Sequence, residues 1–206
     1  MRRLRFVLLA MSLAGSLSYA ETGAEGWLRY APIADAKIKA EYEKLPTGVV
    51  SLDDSAQARS AQAEMVRGFQ SMLGRTLHVG TAVPANSAFV LGTVTEIQQR
   101  FPGWKSAEPL KPEGYAITTL RDHGHIDWLI AGADSRGILY GTFRLLEDIG
   151  EQHDLKSLAA AESPSAPVRW VDQWDNLNGT IERGYAGRSI FFDNGHVRDD
   201  LTRAGE

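Results

Sequence analysis

The residues best suited to chemistry lie in one segment near the C-terminal end, residues 172–192. Its aromatic rings can stack on the apolar face of a pyranose, and its carboxylates and amides can bind sugar hydroxyls. Its guanidinium groups can bind a carboxylate through paired hydrogen bonds. The side chains concerned are Trp174, Asp175, Asn176, Glu182, Arg183, Tyr185 and Arg188. A loop that follows a predicted strand and carries these groups has the composition of a carbohydrate subsite.

The same composition also suits a loop with a purely structural role. Glu182 and Arg183 are adjacent and could pair with each other. Ion pairs and aromatic side chains rigidify loops as well as binding ligands. On residue types alone, sugar binding and a structural loop therefore remain equally open.

His123 and His125 form a second candidate cluster, because two histidines one residue apart can bind a metal from one side of a strand. They lie in a predicted hairpin turn with Asp122 as the nearby acid, and such turns readily take polar residues. We therefore interpret them as solvated turn residues and predict no metal site.

The glycine-rich segment 132–137 lies between a predicted strand and a predicted helix, where backbone amides could bind an anion. Its spacing does not match the glycine patterns of phosphate-binding loops. We predict instead a tight turn in which Asp134 or Ser135 caps the helix. No cofactor site is predicted.

Strands and helices alternate through residues 21–158, which predicts an α/β sandwich domain of roughly 130 residues. Apolar residues at three- and four-residue intervals indicate helices over 38–45, 58–72 and 138–149. Short apolar runs indicate strands over 27–30, 49–52, 77–79, 88–91, 115–120 and 126–131. The last two flank a polar segment with a glycine and are predicted to form a hairpin.

Residues 159–167 carry two prolines and no periodicity, which predicts a linker and a domain boundary. Residues 168–171 then indicate a strand that opens a second region, residues 168–206. At its end, residues 197–206 have an amphipathic pattern that predicts the start of a helix.

Residues 1–20 have three arginines, an apolar run over 6–13 and a small-residue cleavage pattern, so we interpret them as a secretory signal peptide. The mature protein is expected to be exported to the periplasm or the medium, with no membrane anchor after cleavage. The chain has no cysteine, so its stability must come from a hydrophobic core. Its net charge of −4 with mixed signs disfavours nucleic acid as a partner.

The run of residues 174–192 resembles glycoside-hydrolase family sixty-seven, the α-glucuronidases that release glucuronic or 4-O-methylglucuronic acid from xylooligosaccharides. The match is long and its composition is unusual. Weaker agreement covers residues 26–30 and 135–141, so the resemblance extends over nearly all of the mature chain.

The resemblance implies a fold and a place for the loop. Family members have an N-terminal α/β domain similar to the accessory domain of β-hexosaminidases, followed by a (β/α)8 barrel. Residues 168–171 would then be the first strand of an incomplete barrel. Because substrate residues of such barrels follow the C-terminal ends of strands, Trp174 and Glu182 are expected against the uronic acid. The residues expected beside them are Asp175, Asn176, Arg183 and Arg188.

The resemblance also implies an inverting mechanism, in which a carboxylic acid and an opposed carboxylate pair act across roughly 6.5–9.5 Å. In the family these groups belong to later barrel strands, so we expect no catalytic residue in this chain, which would be a truncated and inactive part of the enzyme. Expected partners are xylooligosaccharides or glucuronoxylan fragments, and the full-length parent would be a homodimer.

Two other functions fit the same domain. One is a free-standing carbohydrate-binding or interaction module without catalysis. The other is the accessory domain of a β-hexosaminidase, which does not account for residues 174–192. The start of an amphipathic pattern at residues 197–206 favours a truncated enzyme over the module.

Overall fold

The structure is a computed structural model that describes residues 29–170 and 172–199. The described chain divides into two compact units. One unit is Tyr30–Gln173, of which Val171 is not described. The other unit consists of Arg29 and residues 174–199. The predicted signal peptide and the first half of the predicted strand at 27–30 lie outside the described residues, and Arg29 and Tyr30 are not in a strand.

The first unit is a mixed α/β domain, as the sequence predicts. Its helices are α1 (Ala36–Tyr42), α2 (Ala56–Leu73), α3 (Val94–Arg100) and α4 (Ser135–Gly150), with a 3-10 turn at Leu155–Ser157. Its strands are β1 (Gly48–Ser51), β2 (His78–Gly80), β3 (Phe89–Thr93), β4 (Tyr115–Asp122), β5 (His125–Gly132) and β6 (Ala160–Glu162). None of the helices in the described residues has the length and apolar character needed to cross a membrane.

The six strands form one sheet in the order β2-β1-β3-β5-β4-β6. The neighbours from β2 to β5 run parallel, whereas β4 is antiparallel to both β5 and β6. β4 and β5 form the predicted hairpin: Asp122 pairs with His125, so His123 and Gly124 alone make the turn. Both turn residues have positive φ, 41° and 92°, which is the geometry that favours glycine in two-residue hairpins.

Hydrophobic residues cover both faces of the sheet. One face packs against α2 and α4 through residues that are almost fully buried, such as Phe69, Phe89 and Ile130. The other face packs against α3 and the loop after it, where Phe101 and Trp104 cover Val90 and Leu129. This burial supplies the core that a chain without disulfides requires.

Helix α2 contains the predicted helix 58–72 and is capped at both ends. The Ser55 hydroxyl accepts a hydrogen bond from the N–H of Ala58, and Gly74 closes the helix in a left-handed conformation. Gly68 lies on the face that meets α4, where a Cβ atom would approach Leu146 at 2.7 Å. The missing side chain therefore allows the two helices to pack closely.

Helix α3, strand β6 and the 3-10 turn were not predicted. Helix α3 begins with a capping box in which Thr93 and Glu96 bind each other's backbone N–H groups, a Thr-x-x-Glu signal that the sequence contains. Strand β6 lies inside the segment predicted as a linker, because Ala160–Glu162 completes the sheet by pairing with β4. Three small or acidic residues give little strand signal of their own.

One prediction for the C-terminal part is wrong, and another falls mostly on residues that the structure does not describe. Val168, Arg169 and Trp170 are not in a strand, so the described residues contain no paired barrel strand there. Val197 belongs to a two-stranded hairpin, β7 (Phe192–Asp193) with β8 (His196–Val197), and most of the helix predicted over 197–206 lies outside the described residues. The asparagine and glycine between β7 and β8 both have positive φ, which favours this turn.

Candidate functional site

The candidate sugar-binding loop, residues 174–199, is held by tight turns and short antiparallel bridges. Asp175 pairs with Ile181, and Thr180 pairs with Arg188. Glycines with positive φ mark several of the reversals: Gly179, Gly184, Gly187 and Gly195. The glycines therefore allow the backbone of the loop to reverse direction, since these conformations are strained for other residues.

Asn176 organises the first turn of the loop. Its side-chain Nδ2 donates to the Thr180 hydroxyl at 2.9 Å and to the Glu182 carbonyl at 2.5 Å. Its backbone N–H donates to the Thr180 carbonyl at 2.8 Å, and Asn178 accepts from the Thr180 N–H at 3.0 Å. Both amide hydrogens of Asn176 are thus committed to the loop itself. The structure gives this residue a positioning role.

Ser189 is the buried centre of the loop, with only 3% of its surface exposed. Its hydroxyl donates to Oδ2 of Asp175 and accepts from the backbone N–H groups of Phe191 and Phe192 at 3.0 and 2.8 Å. Asp175 is therefore held inside the loop by a charge-assisted hydrogen bond. Ser189 was not predicted as a site residue, because a lone serine gives no chemical signal in the sequence.

The remaining predicted residues lie closer to the surface of the loop. Trp174 is 63% exposed, and Arg183 and Arg188 are exposed as well. The backbone N–H of Glu182 donates to the Trp174 carbonyl at 2.8 Å, so Glu182 is held directly opposite Trp174. Glu182 is half-buried and has a φ of 50°, a conformation that non-glycine residues rarely adopt.

Within the described residues, no ion pair joins Glu182 to Arg183, and neither Arg183 nor Arg188 has a side-chain partner. A structural loop built on an internal Glu182–Arg183 pair is therefore not what the structure contains. Two exposed guanidinium groups without partners can bind a carboxylate from a ligand.

The glycine-rich turn at residues 132–137 caps a helix, as predicted. Oδ1 of Asp134 accepts from the N–H of Gly137 at 3.0 Å, and its Oδ2 accepts from the N–H of Glu113 at 2.8 Å. A Cβ atom on Gly137 would collide with the carbonyl oxygen of Gly114. The backbone at this turn is thus packed closely against the backbone at Gly114.

The two histidines of the hairpin turn differ from each other. The His123 side chain is 89% exposed, which confirms the prediction of a solvated turn residue. The His125 side chain is only 15% exposed, so the same prediction is wrong for it. His125 lies on strand β5 rather than in the turn, and its strand position directs it toward Asp127.

Comparison with known proteins gives the family. A model described as glycosyl hydrolase family 67 N-terminus matches residues 26–145, and one described as glycosyl hydrolase family 67 middle domain matches residues 148–206. The first alone covers more than half of the chain. The chain therefore belongs to glycosyl hydrolase family 67.

Named relatives agree with this membership. The chain is 38% identical over 213 residues to alpha-glucuronidase A of Emericella nidulans, a match that covers 98% of the chain and 24% of the relative. It is 36% identical to the alpha-glucuronidase of Hypocrea jecorina, covering 97% of the chain and 24% of that protein. The chain thus spans about a quarter of the length of these curated relatives.

A solved structure of a GH138 enzyme targeting pectin rhamnogalacturonan II also matches, at 14% identity and a TM-score of 0.36. The match covers 56% of this chain and 11% of that chain. A likeness this low carries no argument about the fold or the site.

Proposed function

We propose that this chain supplies the N-terminal α/β domain and a uronic-acid-binding loop to an α-glucuronidase. The enzyme would hydrolyse the α-1,2 linkage of glucuronic or 4-O-methylglucuronic acid in xylooligosaccharides, with inversion. Membership of family 67 and the printed names of the relatives support this activity. The observation that carries the role of the loop is the exposed Trp174 held opposite Glu182, with two unpaired arginines nearby in sequence.

Each available side chain has a chemical role in this proposal. The indole of Trp174 stacks on the apolar face of the uronic acid ring. Glu182 accepts hydrogen bonds from ring hydroxyls, and Arg183 and Arg188 bind the sugar carboxylate. Asp175 and Asn176, which the resemblance also places near the substrate, hold the loop in shape through the contacts described above.

The acid and base of an inverting glycosidase are two carboxyl groups on opposite sides of the scissile bond. We propose that no carboxylate of this chain takes either role. The acids around the end of α4 are otherwise engaged or solvated. Asp148 accepts from Nε of Arg144 at 3.0 Å and lies 2.9 Å from Nδ1 of His153, while Glu147 and Glu151 are exposed.

Location and partners follow from the same proposal. Residues 1–20 would direct export to the periplasm or the medium, where xylooligosaccharides and glucuronoxylan fragments are accessible. The full-length enzyme would be a homodimer.

The proposal is tested by titrating the 206-residue chain with an aldouronic acid and following tryptophan fluorescence. Trp174→Ala should weaken binding about tenfold or more, equivalent to about 1.4 kcal/mol, because the stacking surface is lost. Trp170→Ala is the matched control, since that indole is 83% exposed but belongs to the other compact unit. Equal losses in both variants would refute the role of the loop.

Two further measurements on the same samples distinguish an enzyme fragment from a carbohydrate-binding module and from an active enzyme. Neutral xylooligosaccharides should bind more weakly than the aldouronic acid, because Arg183 and Arg188 then have no carboxylate to bind. Equal affinity for both would instead favour a carbohydrate-binding module. Release of 4-O-methylglucuronic acid above a blank by the chain alone would contradict the proposal that it has no catalytic carboxylate.

A further inference from the structure

Three polar side chains lie together at the turn end of the β4–β5 hairpin. Asp122 and His125 are paired directly across the two strands, and Asp127 lies two residues further along β5. Paired residues, and residues two apart on one strand, share a face of the sheet. All three side chains therefore lie on one face, and their oxygen and nitrogen ligand atoms are within 4.8 Å of one another.

This cluster is more deeply buried than a hairpin end usually is. Asp127 has no exposed surface, and the His125 side chain is 15% exposed. Oδ1 of Asp127 accepts a hydrogen bond from the N–H of Ala88 at 2.9 Å. Oδ2 of Asp127 and Nε2 of His125 are buried and have no hydrogen-bond partner among the described residues.

Such atoms are costly to leave unsatisfied. An isolated buried carboxylate is strongly destabilising, because the interior replaces its hydration poorly. Nε2 of His125 and Oδ2 of Asp127 are 3.3 Å apart, but the contact is not aligned as a hydrogen bond. If these two groups formed a simple buried ion pair, their contact would be expected to have the geometry of a hydrogen bond.

The 3.3 Å separation matches two ligands on one tetrahedral metal ion. Bonds of about 2.1 Å at a tetrahedral angle place two ligand atoms about 3.4 Å apart. The side chain of Asp122 is 22% exposed and lies at the rim of the cluster, with its ligand atom within 4.8 Å of the other two. A tetrahedral site would draw it in to roughly 3.4 Å from each of them.

We propose that Asp122, His125 and Asp127 bind one Zn²⁺ ion. An imidazole with two carboxylates is a donor set that Zn²⁺ accepts, and a water molecule would complete the four ligands. The hydrogen bond from Ala88 orients the Asp127 carboxylate, as partners of metal ligands commonly do. The ion fastens the end of the hairpin.

The test is a calorimetric titration of the full 206-residue chain with Zn²⁺ after treatment with a chelator. We expect one ion per chain. His125→Gln and Asp122→Asn should each weaken binding by more than the roughly 10–100-fold that loss of an outer partner of a ligand costs. His78→Gln is the matched control: it removes an exposed histidine on β2, away from the cluster, and should bind as before.

A spectroscopic readout complements the titration. Co²⁺ bound in the same place should give a tetrahedral visible spectrum that His125→Gln abolishes and His78→Gln retains. Asp122→Asn keeps the test valid if His125→Gln fails to fold, because Asp122 lies at the rim. No saturable binding, or binding that survives both cluster substitutions, would overturn the proposal. None of these readouts depends on glucuronidase activity, so the two proposals can fail separately.

Discussion

Replacing Ser189 by alanine should loosen the candidate sugar-binding loop selectively. The change removes the donor to Asp175 and the acceptor of two backbone N–H groups, those of Phe191 and Phe192. A hydrogen bond to a charged group contributes about 1.5–3 kcal/mol, and an orphaned buried donor costs about 1–3 kcal/mol. Both phenylalanines are only half-buried, so water satisfies part of the loss. We expect a local destabilisation of about 2–3 kcal/mol.

Hydrogen exchange measures this loss directly, because amides of the loop exchange through local opening. At about 1.4 kcal/mol per factor of ten, the loop amides should exchange roughly 30- to 150-fold faster or lose protection altogether. Asp175→Asn should have a smaller effect, since its amide oxygen still accepts from Ser189. Ser106→Ala is the control, because that exposed hydroxyl donates only to a nearby carbonyl. Unchanged loop exchange in Ser189→Ala would refute the reasoning.

The remaining predictions concern the α/β domain. Gly137→Ala should lower the stability of the domain to urea unfolding by about 1–3 kcal/mol, because the new Cβ would collide with the backbone at Gly114. The control is Gly103→Ala, which has open space around it and should change the stability by no more than about 0.5 kcal/mol. Burial and the nearby Glu162 raise the pKa of Tyr115 to about 12. The unfolded chain loses this proton first, near its ordinary pKa of about 10, so stability should fall between about pH 10 and 12. A Tyr115→Phe variant that shows the same fall would contradict this.

Most helices and strands of the α/β domain were predictable because their signals are local. The apolar face of α2, its Ser55 cap and the glycine after it lie in one continuous stretch of sequence. The β4–β5 hairpin follows from alternating apolar residues around a glycine turn. Strand β6 was missed because its pairing with β4 joins residues that are far apart in sequence, and no short window of sequence contains that information.

The sequence by itself determined the chemical types in the candidate sugar-binding loop: an indole, carboxylates, amides and guanidinium groups. The tertiary structure decides which of these groups hold the loop together and which remain exposed. Hydrogen bonds that close the loop commit Asp175 and Asn176 to its interior and leave Trp174, Arg183 and Arg188 exposed.

The histidines of the hairpin separate in the same way. Sequence placed His123 and His125 together in a polar segment, but only strand pairing turns one toward solvent and the other toward a buried carboxylate. Residue type fixes which bonds a side chain can make. The direction in which it points, and the water it loses, depend on the register of strands that only the folded chain establishes.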